Sequence, residues 1–375
     1  MHVDNHAEIR GGVRMDIYIL NRSFEPVAVI DCYKSLIWTK RYYTCGDFEL
    51  YVPADKRMLQ YFQPDYFLTR DDDDSVMVIE RLEIQTDVEN GDYYIVSGRS
   101  LESVLARRTI NKQTILNYND VIQGLSYLVV LWAGDIVGVD SSMTYADNFK
   151  AQFTGDSLMD AVTAVCQAYG IGFKITLSGS GLILSFYEGD NVDVIFSPEF
   201  DNLRNSKYVF DMTKYANYAT IAGEGQGASR ITQILDSDVD ARGLSIRQIY
   251  VDARDISSND GEISTDDYKA MLIARGREKL AAREAVKTFE AEIEPQTSFK
   301  YKVDYNLGDI VTVTNEYGIT ANPRIVEIVE SWDETGYTVI PTFDSLEINN
   351  YTIILRDSDG FILRDVQGSI LTVKE

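Results

Sequence analysis

Histidine is nearly missing from this chain. Of its 375 residues only two are histidine, His2 and His6, and both sit in a short polar leader. The leader ends Arg10-Gly11-Gly12-Val13-Arg14, and a strand-like pattern starts only at Met15. Purine-rich codons for Arg-Gly-Gly suit a ribosome-binding site. We therefore expect Met15 as the native start and residues 1–14 as a leader. A chain beginning there has no histidine, which removes Ser-His-Asp and Cys-His nucleophile systems, the HExxH pattern and every Cys/His zinc pattern.

Other absences narrow the field further. The three cysteines, Cys32, Cys45 and Cys166, have no CxxC spacing and read as reduced structural thiols of a protein made in a cytoplasm. The longest apolar run, near Leu125 to Ala133, is too short to cross a bilayer. Positive charge is scarce. Against 59 acidic residues stand 35 Lys and Arg, a net charge of -24. Stable binding to a phosphate backbone needs the opposite balance.

What is present favours β-structure. The chain is 45% hydrophobic and has 24 tyrosines and 15 phenylalanines. Its length suits two to three domains. The clearest pattern occurs twice. Gly308-Asp309-Ile310-Val311-Thr312-Val313-Thr314 is echoed by Pro64-Asp65-Tyr66-Phe67-Leu68-Thr69-Arg70. Ile325 to Glu330 is echoed by Val78 to Glu83, and Thr335 to Ile340 by Asn90 to Val96. Alternating β-branched residues and a Gly at each hairpin tip make this one antiparallel β-unit, duplicated.

The remaining chain divides around that pair. Residues 15–108 hold the first unit, with Ser35 to Tyr43 alternating so that Leu36, Trp38, Lys40 and Tyr42 share a face. Gly46 turns into a second strand, and short helices are expected at Asp55–Phe62 and Leu101–Arg108. Residues 109–200 read as a small α/β piece. Its Asn119–Trp132 stretch is ambiguous between helix and buried strand, and the Ser157-capped helix ends at Gly170. Residues 201–345 hold the second unit and a helix over 265–287, with Ser264 and Asp267 at its start. Residues 346–375 repeat Ile-Leu-Arg-Asp around Ile354 and Ile362, a small β-meander with turns at Asp359-Gly360 and Gln367-Gly368.

Candidate chemistry is sparse. Gly223-Glu224-Gly225-Gln226-Gly227 precedes a strand, and Glu224 places negative charge where a phosphate would sit, so it reads as a turn. Asp71, Asp72, Asp73 and Asp74 form a weak Ca²⁺ candidate that lacks the spacing of a dedicated loop. Trp38 or Trp332, if exposed, could stack on a sugar, although core packing is their commoner role. No pattern requires a cofactor, and no catalytic residue stands out.

Several runs carry a resemblance. Ser35-Leu36-Ile37-Trp38-Thr39-Lys40-Arg41-Tyr42-Tyr43 followed by Gly46-Asp47-Phe48-Glu49-Leu50 is similar to the opening of siphovirus tail-hub proteins. Ser97 to Leu101, Phe196 to Leu203, Ala222 to Gly225, Val251 to Asp255, and Leu307 to Val313 through Phe343 fit the same family. The resemblance covers nearly all of residues 15–345, with a poor match over 109–152. It implies an α+β, mainly β fold: two similar antiparallel β-barrel domains, a small α/β domain between them and a helix inserted in the second barrel block. It also implies a homotrimer, three subunits giving a ring of six similar barrels at the distal tip of the virion tail. The expected partners are the distal tail protein, the tape-measure protein, and a tail fibre or downstream tip protein. The expected interface and structural positions are Trp38, Arg41, Tyr42, Gly46 and Asp65 in the first block, and Gly308, Asp309 and Trp332 in the second. Ile354 and Ile362 join them from the C-terminal meander. Two other readings compete: a tail-associated peptidoglycan hydrolase, for which some 30 residues after the second unit leave too little chain, and a receptor- or glycan-binding tip.

Overall fold

The computed structural model describes residues 15–86, 91–179, 181–238, 240–293, 299–315, 317, 320–344, 352–354 and 372–374. The leader at 1–14, Ile362 and the two turns expected in the C-terminal meander lie outside the described residues.

The first block is antiparallel β. Strands β1 (Ile17–Leu20) and β2 (Pro26–Ile30) fold back on each other. Next come β3 (Ser35–Arg41) and β4 (Asp47–Pro53), in which alternating residues are buried. Their turn requires Gly46, because a Cβ there would lie 2.0 Å from the Thr39 carbonyl oxygen. β5 (Phe67–Arg70), β6 (Asp73–Gln85) and β7 (Tyr93–Ser100) complete the block. The two helices expected here are short 3-10 segments, Leu59–Tyr61 and Leu101–Arg107. Ile17, Leu36, Trp38, Leu50, Phe62 and Val96 are buried together in one core. Each such side chain contributes about 1.5–3 kcal/mol.

The middle of the chain is mixed. It holds β8 (Thr114–Tyr118), α1 (Val121–Ala133), β9 (Val137–Asp140), β10 (Phe149–Phe153), α2 (Leu158–Tyr169), β11 (Gly172–Ser178) and β12 (Gly181–Tyr187). The ambiguous stretch is helical. The Asp120 side chain accepts from the Gln123 amide at its N-terminus, and Val121, Ile122, Leu125, Leu128 and Val129 are buried. Gly170, at φ +69°, ends α2 as the spacing predicts.

The last block returns to β with β13 (Asn191–Phe196), β14 (Leu203–Asp211), β15 (Tyr218–Ala222), β16 (Thr232–Asp236) and β17 (Gln248–Asp252). Helix α3 runs Thr265–Ala281, with the Ser264 hydroxyl accepting from the Asp267 amide. It packs on β15 through Tyr268, Met271 and Leu272. The helix is shorter than the 265–287 expected. Val286 onward is β-branched and aromatic, and it forms β18 (Val286–Ile293) instead. Then follow β19 (Ile310–Thr314), β20 (Thr320–Ala321), β21 (Ile325–Asp333) and β22 (Gly336–Phe343). Two short strands, β23 (Thr352–Ile354) and β24 (Thr372–Lys374), pair antiparallel. Ile354 is therefore the last residue of a described strand.

The fold is mainly β and antiparallel, as expected. The two β-blocks do not stand apart. Their strands form one eleven-stranded sheet in the order β14-β18-β22-β21-β3-β4-β7-β6-β5-β1-β2, which does not close on itself among the described residues. The join is β21 against β3, with Glu327 opposite Arg41 and Trp332 opposite Leu36.

Within that sheet the echo is a matter of register. A turn brings the Tyr66 amide to the Gln63 carbonyl at 3.1 Å, and another brings the Asp309 amide to the Asn306 carbonyl at 3.3 Å. The Asp65 amide donates to Ile79, and the Gly308 amide donates to Ile325. The return bonds run from Ile79 to Tyr66 and from Ile325 to Asp309, each 2.8 Å. Asp65 (φ +64°) and Gly308 (φ +98°) both occupy the left-handed region. Asp65 thus corresponds to Gly308, one residue away from the Asp65–Asp309 match that the letters suggest. The turn selects residues tolerant of positive φ, a property Asp and Gly share, and not the carboxylate.

The correspondence continues strand by strand. Both long hairpins carry an irregularity at the same place, between Ile79 and Arg81 and between Ile325 and Glu327. Leu82 faces Val96 as Ile328 faces Pro341, and Ile84 faces Tyr94 as Glu330 faces Val339. Outward from there, Phe48 faces Gly98 as Phe289 faces Phe343, and Trp38 faces Phe48 as Tyr208 faces Phe289. The series β3-β4-β7-β6-β5 therefore matches β14-β18-β22-β21-β19. The match ends at β5, which runs antiparallel to β1, whereas β19 runs parallel to β13.

Candidate interface between the two β-units

The join between the units is built on a charged layer beneath β3 and β21. Alternation puts Lys40 on the same inward face as Leu36 and Trp38, so its ammonium needs an acid nearby. Its Nζ lies 2.5 Å from the Asp73 carboxylate and 3.8 Å from Glu330. Arg70, at the end of β5, is fully buried. Its guanidinium reaches Asp72 at 2.9 Å and Glu330 at 3.2 Å. It stacks between two indoles, 5.0 Å from the Trp38 ring and 4.4 Å from the Trp332 ring. Lys302, from the second block, closes the layer at 2.8 Å from Asp73 and 3.2 Å from Asp72. Three cations meet three carboxylates, so the layer is neutral although largely buried.

That balance sets the protonation states. Burial alone would raise the pKa of Asp73, but Lys40, Arg70 and Lys302 outweigh it and hold the carboxyl well below the usual carboxylate range. The Tyr337 hydroxyl donates to Glu330 at 2.9 Å. Burial, then the adjacent Glu330 charge, pushes the Tyr337 phenol far above its ordinary value. Asp73 therefore stays ionised and Tyr337 neutral at neutral pH, and the layer acts as a joint between strands.

Arg41 fastens the outer face. Its side chain bridges Glu327 of β21 at 2.6 Å and Asp47 of β4 at 2.5 Å. Tyr42, one residue on, ties in the middle segment. Its amide donates to Val326, and its hydroxyl donates to the carbonyls of Gly170 and Tyr187. Arg324 stacks on its ring at 5.2 Å. Gly172 and Gly308 both press against that ring, where a Cβ would come within 2.3 and 2.5 Å. Asp309 is buried and accepts from the amides of Asp190 and Asn306. Asp65 lies at the surface beside Arg107 at 2.8 Å.

Five of the residues singled out from sequence meet at this join, Trp38, Arg41, Tyr42, Gly308 and Trp332, while Asp309 accepts from Asp190 and Asn306 away from it. Gly46 and Asp65 serve turns within the first unit. Trp38 is fully buried, and Trp332 carries Arg70 on its ring, so neither takes the exposed sugar-stacking role considered above. The four aspartates do not converge on a cation. Asp72 and Asp73 face the cations named above, Asp71 accepts from the Tyr18 hydroxyl, and Asp74 pairs with Lys174. No group of three metal-ligating side chains occurs among the described residues. Sequence reasoning missed Arg70, Glu330, Lys302 and Arg324. The available signal was Lys40 on an otherwise apolar strand face, which demands a buried acid.

Three solved structures share this fold. The tail protein from Neisseria meningitidis MC58 aligns at 13% identity over 88% of this chain and 96% of its own, with a TM-score of 0.58. The 43 kDa tail protein of prophage MuSo2 from Shewanella oneidensis aligns at 15% over 88% and 98%, TM-score 0.56. Prophage tail protein gp18 from Listeria monocytogenes EGD-e aligns at 12% over 88% and 94%, TM-score 0.54. No curated protein sequence matches the chain. A family model, Siphovirus ReqiPepy6 Gp37-like protein, matches residues 16–343. With the match running through both β-units and the segment between them, the chain is a phage tail protein and belongs to the Siphovirus ReqiPepy6 Gp37-like family.

Proposed function

We propose that this protein is the structural hub of the tail: a homotrimer in which two β-units per copy make a ring of pseudo-sixfold symmetry closing the distal end of the tail tube. The observation that carries this reading is the shared register of the two β-units, which join through β21 and β3 in one sheet. Three copies of a tandem repeat fit a sixfold partner, because each partner subunit meets a similar unit. The units act as paired barrel-like blocks, 15–108 and 201–345, with 109–200 packed between them. Residues 346–375 face a tail fibre or downstream tip protein, and the distal tail protein and tape-measure protein meet the ring itself. The net charge of -24 supports a channel wall that lets DNA pass without adsorbing it. The hub works without catalysis or a cofactor.

The test is the oligomeric mass in solution together with imaging of the particle tip. A trimer seated at the tip is expected; a stable monomer in both settings overturns the reading. Clearing of purified cell wall in zymograms would overturn its non-catalytic part.

A further inference from the structure

A buried acceptor where β10, α2 and α3 meet has no donor. Gln152, in β10, is 3% exposed. Its side-chain nitrogen donates to the Asp255 carbonyl at 2.8 Å, which fixes the orientation of the amide. Its side-chain oxygen Oε1 has no partner. A buried acceptor of this kind calls for an N–H or O–H donor. Gln152 lines a recess of about 30 Å³, room for one water-sized group, with Val165, Ile256 and Met271 in its apolar wall.

The recess adjoins a larger space. Phe153, Arg275 and Glu278 line both it and a cleft of about 370 Å³ between α2 and α3. Phe153, Ala161, Ala164, Ala281 and Ala282 give the cleft an apolar lining, and Asp156 and Asp160 add carboxylates on the α2 side. The cations around this space are already engaged. Arg275 donates to the Gln152 backbone carbonyl at 3.1 Å and pairs with Asp255 at 3.1 Å and Glu278 at 3.4 Å. Lys279 pairs with Glu278 at 2.7 Å, and Arg277 bonds the Tyr169 hydroxyl. The acceptors are not used up. The Asp156 carboxylate accepts from the Thr154 amide at 3.1 Å, and the Asp160 carboxylate has no partner among the described residues.

We propose that this cleft binds an aliphatic diamine. One ammonium sits in the recess against Gln152 Oε1 and Glu278, the methylene stem lies along the alanines, and the second ammonium meets Asp156 and Asp160. Two separated sets of acceptors need a donor at each end of the ligand. A lysine side chain from a neighbouring protein has one ammonium and satisfies one set. A metal ion has no stem and leaves the apolar lining uncovered. A bound diamine clips α2 to α3, and so fastens the middle segment to the last block. The site goes beyond the tail-hub reading and needs no second copy of the chain.

The experiment is calorimetric titration of the full chain with putrescine, and with butylamine, an N-acetyl-lysine amide and Mg²⁺ as comparisons. Putrescine should bind at one site and raise the melting temperature, and butylamine should bind about tenfold more weakly. Asp160→Asn, an exposed change, should weaken putrescine by about tenfold. Ala164→Leu should fill the cleft and remove binding. Circular dichroism should show both variants folded as wild type. No binding of putrescine, or undiminished binding in either folded variant, overturns the site. Displacement of putrescine by Mg²⁺ makes it a counter-ion of an acidic chain and overturns the site as well. Butylamine or the lysine amide binding as tightly as putrescine overturns the two-ended assignment. None of these outcomes alters the oligomeric mass, which tests the hub reading separately.

Discussion

The Arg70 guanidinium meets the Glu330 carboxylate at 3.2 Å across 260 residues of chain, with both side chains at or near zero exposure. One closes a strand of the first unit and the other sits in β21 of the second. A buried ion pair adds little net stability compared with apolar packing, but losing one partner is costly. Arg70→Met should lower unfolding free energy by about 3–5 kcal/mol. Adding Glu330→Met should return part of it, with a coupling of about 0.5–3 kcal/mol. Urea unfolding of the two singles and the double closes the cycle.

Asp73 makes the joint sensitive to acid. An unfolded aspartate titrates near 3.9, and in the fold the surrounding cations hold Asp73 far lower despite its burial. Its contribution is therefore complete above about pH 5 and is lost as pH falls through 3.9 towards the folded value. Asp73→Asn should be less stable than wild type at neutral pH and show a shallower loss on acidification. Urea midpoints measured from neutral to acid pH give both quantities.

Gly308 combines a positive φ with a close approach to the Tyr42 ring. Gly170 also has positive φ, but a Cβ there meets nothing within 4 Å. Gly170→Ala should cost about 1 kcal/mol, the strain alone. Gly308→Ala should cost about 1–3 kcal/mol more because the Tyr42 ring must move. The difference between the two in thermal or urea unfolding isolates the packing part.

Asp65 stands where the second unit has Gly308, at φ +64°. Asp65→Gly should fold with nearly unchanged stability, since relief of strain offsets added chain entropy. Asp65→Val should lose more than about 1 kcal/mol, because a β-branched residue fits that region poorly. Equal losses in the two variants would detach the turn from the repeat.

Much of the local structure was legible. Alternation located β3 with Leu36, Trp38 and Tyr42 inward, Gly170 ended its helix, and the duplicated Asp-strand and Gly-hairpin grammar marked two related units. The join was not legible, because a strand's sequence states which face is buried and not which edge it meets. Arg70 is buried among partners that include Glu330, 260 residues away, which its own strand does not announce. The end of α3 was misplaced because charged residues after Ala281 continue a helical composition, whereas Val286 onward is claimed by the sheet. The one-residue offset of the echo has a similar cause. Letters record side chains, and the turn is fixed by backbone angle.

The β21–β3 join also sets a timetable for synthesis. Arg41 is made 286 residues before Glu327. At about 5–20 residues per second, the β3 edge waits roughly 15–60 s for its partner. An unpaired strand edge bearing Leu36 and Trp38 invites pairing with the wrong chain. Lys40 and Arg41 sit at the end of that strand, and charge on an open edge discourages such encounters. The cations that later hold the finished sheet are thus in place to guard it while it is incomplete.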